Sequence, residues 1–438
     1  MLPISSVDAV VVGAGSSGAA TAAFLAERGA QVLLVDRRPL ARAGACWVNG
    51  VPAALLREAG VVLAAPGDAR AELRSAPITT HLIAGKARVV ITDHDVLEID
   101  MRHLVARLHD RARQAGVHLV DGVTVHAVTD RGVDTSAGPV AARWVIDASG
   151  VAGARLLDQP VVERRDLCAA AQEVRHVLDP AAARAFFAAH QVPEDEVMTL
   201  TGVLGGYSII NVRLHHDARE VSVLTGTIPD GVRRGGKALL NQFVAQQPWI
   251  GARIFGGAGA IPLRRAYDRI AHGKVALVGD AACQVFPGHG SGVGSGLVAA
   301  RLLADTLTRG DDLRAYEHAW HRRAGGLHAA FGVIRRWNQE LRIEQLERLM
   351  ASGFLDPDLS SAGLDQRQPR VSPRAVLRKA RILAGEPALG LALASTVVRA
   401  SAVRALYARY PRSARAMPAW GRMVAAVVGE RPDPPIAA

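Results

Sequence analysis

Cysteine is scarce in this chain of 438 residues, which contains only Cys46, Cys168 and Cys283. Three widely separated cysteines exclude a disulfide-stapled secreted scaffold and lack a paired zinc spacing, so we expect no metal site and a reducing, cytoplasmic setting. Long apolar runs are also missing. The best candidate, 387–398, falls short of the roughly 20 residues that cross a bilayer. We therefore predict no membrane span, and leave a peripheral membrane contact open.

Acidic residues are nearly absent from segment 370–422, which contains eleven arginines and lysines against one acid, Glu386. The formal net charge of the whole chain is +11, so this segment carries most of it. Such a segment fits anionic lipid headgroups or an acidic carrier protein, and a solvated helical face is an equal alternative. Nucleic acid is not expected as a partner, because no reader motif accompanies the arginines.

The first 36 residues carry a dinucleotide-binding pattern. The apolar run 8–12 predicts a buried parallel strand; GAGSSG, a small-residue helix and a second strand follow. Gly13, Gly15 and Gly18 serve the sharp turn, the approach of the backbone to a pyrophosphate, and the helix–sheet contact. Asp36 is placed to accept hydrogen bonds from ribose hydroxyls and to disfavour a 2′-phosphate. The pattern predicts a bound dinucleotide other than NADP.

A second glycine-rich element lies about 260 residues after the first. KVALVGDAACQVFPGHGSGVGSG predicts a buried strand over 275–278 that ends at Gly279 and Asp280, then a loop and a long helix. Two nucleotide-contact elements so far apart imply one extended ligand. FAD is such a ligand.

The ordered set GAGSSG with Asp36, VIDASG and GDAACQVFPGHGSGVGSG resembles the glutathione-reductase-type flavoproteins of the geranylgeranyl reductase and aromatic hydroxylase group. The resemblance covers about residues 7–340. It implies that Asp280 binds the ribityl chain of FAD and that the helix after Pro287 directs its amides at the isoalloxazine ring. A positive helix end stabilises the negative charge of reduced flavin.

The resemblance and the motifs together give a set of expected cofactor-binding residues. These are Gly13, Gly15, Ser17, Gly18, Asp36, Arg37, Arg102, Gly279, Asp280, Pro287, Gly290, Gly292 and Val293. Arg102 matches an arginine that the group places near the flavin, with a solvated helix face as its alternative. NADH or NADPH is expected only as a transient electron donor, since no second dinucleotide motif is needed for it.

Details within the resemblance separate the branches of the group. The sequences GGAGAIPLRR and GGY, and a cysteine after the second strand, favour geranylgeranyl reductases, but only Tyr207 remains of their Y-x-W-x-F-P motif. Cys283 replaces the histidine of the hydroxylase GDAAH pattern, and the halogenase W-x-W-x-I-P signature is missing. The resemblance implies an FAD-dependent oxidoreductase that reduces or dehydrogenates a carbon–carbon bond of a polyprenyl or natural-product intermediate in secondary metabolism. A monooxygenase (hydroxylase or epoxidase) is the alternative, and a halogenase ranks last.

Three residues are candidates for catalysis: Cys46, Tyr207 and His289. Cys46 could donate a proton or gate the flavin, and a small buried hydrophobe is the interpretation we favour for it. Tyr207 either lines the substrate cavity or packs in a sheet. His289 either relays protons at the helix start or lies on a loop surface. We expect Cys283 to serve packing.

The predicted fold class is α/β, with a Rossmann-like FAD-binding parallel sheet, an inserted antiparallel substrate domain and a C-terminal helical extension. We assign 1–75, 96–165 and 262–330 to the FAD-binding domain, and 76–95 and 166–261 to the substrate domain. The helical basic extension covers 331–438, and its last residues, PDPPIAA, are predicted to be disordered.

Overall fold

The computed structural model describes residues 2–64, 71–310, 312–370, 372–384 and 387–436. The strands are β1 Ser6–Val12, β2 Val32–Val35, β3 Val48–Pro52, β4 Leu73–Ser75, β5 Thr80–Ala84, β6 Ala87–Ile91, β7 Val96–Asp100, β8 His118–Val120, β9 Val125–Val128, β10 Gly132–Thr135, β11 Val140–Asp147, β12 Leu167–Val177, β13 Val197–Thr201, β14 Ser208–His215, β15 Glu220–Thr227, β16 Ile250–Pro262, β17 Ala271–His272 and β18 Val275–Leu277. The α-helices are α1 Ser16–Ala26, α2 Ala53–Ala59, α3 Met101–Gln114, α4 Pro180–Ala189, α5 Gly236–Ala245, α6 Val293–Thr308, α7 Leu313–Trp320, α8 Gly326–Gln339, α9 Ile343–Ala351, α10 Pro357–Leu364, α11 Pro373–Ala384, α12 Pro387–Tyr407 and α13 Met417–Val428.

The first sheet has the strand order β17-β18-β11-β1-β2-β8, with parallel pairing from β18 through to β8. Its central strand β1 is an apolar run because it is paired on both sides and covered by helices on its faces. Val12 pairs with both Val35 and Asp147, and Asp147 pairs with Leu277. The carboxyl ends of β1, β2, β11 and β18 therefore lie side by side at one edge.

The second sheet has the order β16-β12-β15-β14-β13-β5-β6 and is antiparallel except where β5 joins β13. Side chains alternate between its two faces. One face packs on α4 and α5 through residues such as Val212, Val221 and Leu240. The other face is directed towards the first sheet. The predicted fold class, a parallel nucleotide sheet with an inserted antiparallel domain and C-terminal helices, is confirmed.

A third sheet, β3-β7-β4, joins the two larger ones and was not predicted. The glycine, asparagine and proline residues of 41–61 favour a loop followed by a helix, but β3 forms inside the loop part of that segment. Its sequence VNGVP contains Asn49, Gly50 and Pro52, which disfavour a strand locally. Pairing with β7 forms the strand, with Val48 opposite Asp100.

The C-terminal helices pack on one another, with α8, α12 and α13 sharing an apolar core that includes Val333, Val403, Tyr407 and Trp420. Within α12, the stretch Leu389–Tyr407 is long and apolar enough to cross a membrane, and 33% of its apolar window is buried inside the protein. The sequence analysis took 387–398 as the longest apolar run, whereas the apolar stretch of α12 continues to Tyr407, so the predicted run is too short. A single helix of this kind is weak evidence for a span, because packed helices meet the same criterion.

Hydrogen bonds hold the segment around Asp433 in place, contrary to the prediction that PDPPIAA is disordered; the last two residues of that segment lie outside the described residues. Arg264 Nη2 donates to Asp433 Oδ1 at 2.6 Å, and the Asp268 amide donates to Asp433 Oδ2 at 2.8 Å. Arg265 Nε donates to Glu430 Oε2 at 3.0 Å. Both arginines are buried and need these carboxylates, which explains why a polar, proline-rich end is ordered up to residue 436.

Candidate active site

The turn after β1 is built around two glycines that admit no side chain. Gly13 has φ +102°, and a Cβ on it would overlap the backbone of Ala148. A Cβ on Gly18 would overlap the carbonyl oxygen of Gly13. Gly15 differs, because its nearest neighbour would be the Cα of Gly44 at 3.6 Å. Gly13 and Gly18 are therefore required for close packing, while Gly15 opens onto a cleft and leaves the amides of α1 without a side-chain cap.

Asp36 follows β2 and is almost fully buried at the edge of the same cleft. Its Oδ2 accepts from the Ala14 amide and its Oδ1 from the Arg38 amide, both at 2.8 Å. Arg38 lines the cleft, whereas Arg37 is exposed and lies outside the cleft lining. The structure thus brings Asp36 to the predicted place and gives Arg38 the position expected for Arg37.

The second glycine-rich element packs directly on the first. Gly279 has φ +71° and opens a short 3-10 turn over Gly279–Ala282. The Ser17 side chain fills the space beside Gly279 and Gly296, since a Cβ on either glycine would overlap it. The start of α1, the turn after β18 and the start of α6 therefore form one surface.

A cleft of about 210 Å³ runs along that surface. Its lining includes Gly13, Gly15, Ser17, Asp36, Trp47, Asn49, Ser149, Asp280, Gly290, Gly292 and Val293. A larger cleft of about 920 Å³ continues from it and is lined by Arg38, Gly44, Cys46, Arg102, Gly257 and Asp280 among others. The two elements separated by about 260 residues thus border one elongated groove.

Asp280 gives the groove an unsatisfied carboxylate. Its side chain lines both clefts, and no residue in the described ranges donates a hydrogen bond to it. Burial raises its pKa to about 6. A carboxylate of this kind is suited to hydroxyl or amide donors from a ligand, and the hydroxyls of a ribityl chain are such donors. The residues present therefore fit FAD.

A separate cavity of about 260 Å³ lies between the groove and the antiparallel sheet. Alternate residues of β12 and β14 form its floor: Cys168, Ala170, Gln172, Ile209, Asn211 and Arg213. Asn49, Ile261 and Gly290 line both this cavity and the smaller cleft. A molecule in the cavity would therefore border the cofactor groove at these three residues.

This chain is similar in sequence and in fold to known FAD-dependent proteins and reductases. Residues 8–59 match the family described as FAD dependent oxidoreductase. The chain is 26% identical over 81% of its length to digeranylgeranylglycerophospholipid reductase 2 of Methanothermobacter thermautotrophicus, of which it covers 93%. Its fold is similar to a geranylgeranyl bacteriochlorophyll reductase-like protein of Thermoplasma acidophilum, with a TM-score of 0.69, 17% identity and coverage of 88% of this chain and 100% of that one.

A probable FAD-dependent monooxygenase of Pseudomonas aeruginosa is similar in fold too, with a TM-score of 0.55, 15% identity and coverage of 82% of this chain and 99% of that one. The chain is an FAD-dependent oxidoreductase. The resemblance stated from its motifs is confirmed, and so is FAD as its cofactor. Its fold relatives include both reductases and monooxygenases, so the fold does not choose between these two chemistries.

Two predicted catalytic residues of this FAD-dependent oxidoreductase lie in the cavity. Tyr207 lines it at the end near Gly290, and burial raises the pKa of its hydroxyl, which stays protonated at neutral pH. His289 lines the same end; burial lowers its pKa to about 4, so the ring is neutral. The His289 Nε2 atom is buried and has no hydrogen-bond partner among the described residues.

Cys46 is exposed, and the interpretation of a buried hydrophobe is wrong for it. It borders the larger cleft and does not line the cavity. Cys283, by contrast, is fully buried in the core, which confirms its packing role.

Arg102 and Pro287 occupy supporting positions. Arg102 borders the larger cleft, but its guanidinium already pairs with Asp100 through Nη2–Oδ2 at 2.7 Å and Nε–Oδ1 at 3.1 Å. It also lies over Phe255, 3.4 Å from the ring centroid. Pro287 is buried and lines neither cleft.

Several lining residues were missed by sequence reasoning. Cys168 lies in the cavity wall beside Tyr207 and shares its apolar cluster. Its alternation with Ala170 and Gln172 along a strand is a signal that could have placed it on the cavity face. Trp47 packs against glycine-rich β16, where a Cβ added to Gly259 would lie only 3.3 Å from the Trp47 ring. The close approach of the Trp47 ring explains why residues 256–260 have the small-residue sequence GGAGA.

Proposed function

We propose that this flavoprotein reduces a carbon–carbon double bond of a hydrophobic, polyprenyl-like molecule, or catalyses the reverse reaction. The observation that carries the proposal is the mainly apolar cavity that meets the cofactor groove at Asn49, Ile261 and Gly290. The relatives named as digeranylgeranylglycerophospholipid reductases support a substrate of this class. FAD, once reduced by NADH or NADPH as a transient donor, would supply the two electrons as a hydride.

The chain contributes orientation, exclusion of water and a proton. Ile209, Leu224 and Ala170 form apolar walls that hold a hydrocarbon chain and exclude water. Tyr207 carries a protonated hydroxyl at the end nearest the groove, and we assign to it the proton that reaches the second carbon, with the neutral ring of His289 at the same end as a relay for that proton. Cys46, outside the cavity, gates the mouth of the larger cleft in this proposal.

Anaerobic turnover is the decisive measurement for this proposal. The FAD-loaded protein, reduced without oxygen, is expected to convert a polyprenyl alkene to its dihydro product, with one flavin oxidised per double bond. A Tyr207→Phe variant should retain flavin and lose about 10²-fold in rate, the lower end of what general acids contribute. The control is Asp134→Asn, a conservative change at an exposed residue that lines neither the cavity nor the groove, and it should leave the rate unchanged.

The competing chemistry is monooxygenation, and the same preparation tests it. Stoichiometric oxygen uptake with a hydroxylated or epoxidised product, together with no anaerobic turnover, would contradict the reductase proposal. A halogenated product in the presence of halide would do the same.

The basic segment 370–422 is the surface that we assign to delivery of the substrate. Arg374, Arg381, Arg409, Arg412, Arg415 and Arg422 are exposed and form no ion pair with a described acidic residue. Leu377, Leu391, Val397 and Val398 are exposed apolar residues of α11 and α12. Arginines interspersed with exposed apolar side chains fit an anionic lipid surface better than an acidic carrier protein.

Vesicle cosedimentation tests this contact. The holoprotein is expected to bind phosphatidylglycerol vesicles and not phosphatidylcholine vesicles. Arg409→Gln, Arg412→Gln and Arg415→Gln together should weaken binding at least tenfold, since each surface base is worth about 1 kcal/mol.

The matched control changes Arg131, Arg219 and Arg234 to glutamine, which removes the same charge from exposed positions elsewhere. Equal weakening by both triple variants would show a nonspecific charge effect and contradict the assignment. Binding to an acidic carrier protein without vesicle binding would replace lipid by protein as the partner.

A further inference from the structure

Gln366 follows α10 in a left-handed backbone conformation, with φ +52°. Its amide donates to the Gly363 carbonyl at 3.1 Å, and the Arg367 amide donates to the Ala362 carbonyl at 3.0 Å, which closes the helix end. Glycine is the usual residue at this position, because a Cβ destabilises the left-handed conformation. The Gln366 side chain is nevertheless buried, and the residue is only 7% exposed. An unfavourable conformation combined with a buried amide side chain indicates a role for that amide.

The Gln366 side chain reaches the first turn of α6. Ser295 Oγ donates to Gln366 Oε1 at 3.2 Å, across 71 residues of sequence, and also lies 3.4 Å from His328 Nε2 of α8. A carbonyl oxygen only accepts, so the hydroxyl proton of Ser295 is used for Gln366 and its oxygen is left to accept from His328. Gln366, Ser295 and His328 therefore form one buried chain of hydrogen bonds that joins α10, α6 and α8.

The ring of His328 is held in place by aromatic neighbours. It lies edge-to-face against Phe286 and Trp320, with centroid distances of 5.7 Å and 5.6 Å. Burial lowers the pKa of His328 to about 3, so the ring is neutral at pH 7 and carries a single N–H. The ring therefore restrains the Ser295 hydroxyl without bringing a charge to α6.

The start of α6 borders the cofactor groove. Gly292 and Val293 line the smaller cleft, and no described residue caps this helix start with its side chain. The first amides of a helix have no acceptor within it, so they form the positive end of the helix dipole at the groove. Ser295 lies in this turn, where alanine would favour the helix more. Its bond to Gln366 explains the serine better than the helix itself does.

We propose that Gln366 is a positioning residue, which fixes the first turn of α6 at the groove through Ser295 and thereby raises the reduction potential of bound FAD. Reduced flavin carries more negative charge than oxidised flavin, so it gains more from the positive end of a helix that is held in place. Loss of the contact should therefore weaken the binding of reduced FAD more than the binding of oxidised FAD. The inference rests on FAD binding alone, and holds for alkene reduction and for monooxygenation alike.

The potential of the holoprotein, measured by spectroelectrochemical titration, tests this role. Gln366→Met removes the amide and keeps the side-chain length, whereas Ser295→Ala removes the hydroxyl and suits a helix. We expect each variant to lose about tenfold in its preference for reduced over oxidised FAD, the upper end of one hydrogen bond, which lowers the two-electron potential by about 30 mV. The double variant should shift no further than either single variant, because both changes remove the same hydrogen bond.

Gln191→Met is the matched control for the glutamine. Gln191 follows α4 in the same conformation, with φ +53°, but it is exposed. Ser395→Ala, at an exposed position of α12, is the control for the serine. Both controls should leave the potential unchanged.

Titration of the apoproteins with oxidised FAD separates positioning from a purely structural contact. Equal losses of affinity for both redox states leave the potential unchanged, and that result in Gln366→Met and Ser295→Ala would overturn the proposal. Additive shifts in the double variant would also contradict it, because they would show that the two residues act independently. If Gln366→Met does not fold, the potential of Ser295→Ala alone decides between these outcomes.

Discussion

Asp280→Ala is expected to give a protein that purifies without flavin colour. The carboxylate faces the groove with no donor from the described chain, so its hydrogen bonds are available to the cofactor. Hydrogen bonds to a charged group contribute about 1.5–3 kcal/mol each, and two of them correspond to at least a 10²-fold loss of FAD affinity. The visible spectrum and a fluorescence titration of the apoprotein measure this loss.

Asp134→Ala is the control for this variant, since residue 134 is exposed and outside the groove. Stoichiometric flavin in purified Asp280→Ala would contradict the assigned role of Asp280. Asp280 strengthens cofactor binding, but in the apoprotein its ionised carboxylate lowers the stability of the fold. Its folded pKa of about 6 lies above the ordinary 3.8, so its ionisation destabilises the apoprotein by about 3 kcal/mol above pH 6 and not below pH 4.

Asp280→Asn apoprotein should therefore unfold at a higher urea concentration than wild-type apoprotein at pH 8. The two midpoints should converge as the pH falls to 4. FAD addition should reverse the order at pH 8, because only the carboxylate binds the cofactor hydroxyls as an anion. Identical apoprotein midpoints at pH 8 would show that the carboxylate is not destabilising.

Replacement of both terminal acids, Glu430→Gln with Asp433→Asn, is expected to destabilise the protein by about 3–5 kcal/mol, the usual cost of an uncompensated buried charge. Arg265 is 1% exposed and Arg264 is 9% exposed at the side chain, and these acids are among their partners. Burial would raise the pKa of Asp433, but Arg264 and Arg265 outweigh that effect and lower it. The stabilisation by Asp433 is therefore present above about pH 4 and lost below its lowered pKa.

Urea unfolding of the holoprotein at pH 7 measures this effect. Arg431→Gln is the matched control, because residue 431 lies between the two acids and is exposed. An unchanged midpoint for the double variant would mean that the chain end does not support the fold.

The sequence predicted the parts of the site that depend on backbone shape. Gly13 and Gly18 are required where a side chain would overlap the neighbouring backbone, and such local requirements are visible in a motif. The strand ends at Asp36 and Asp280 were equally visible, because a buried parallel strand is an unbroken apolar run.

The cavity could not be derived in the same way, because its walls come from separate parts of the chain. Glu98 and Arg213 are 115 residues apart and meet only through sheet pairing. β3 contains residues that disfavour strands and forms through its partner β7. Asp433 is in a polar tail whose order depends on two distant arginines. Whether a loop side chain such as Cys46 is exposed likewise depends on the tertiary position of its loop, which the local sequence does not determine.

The order of strands in the first sheet has a consequence for biosynthesis. Its strand β11 pairs with β18, joining Val145 to Val275 across the whole inserted sheet. A ribosome-bound chain that ends before β18 cannot complete this sheet or present Asp280, so cofactor capture must follow synthesis of most of the protein. Contacts so distant in sequence also slow folding, and the nascent flavoprotein therefore leaves the apolar strands of this sheet incompletely paired until β18 has been synthesised.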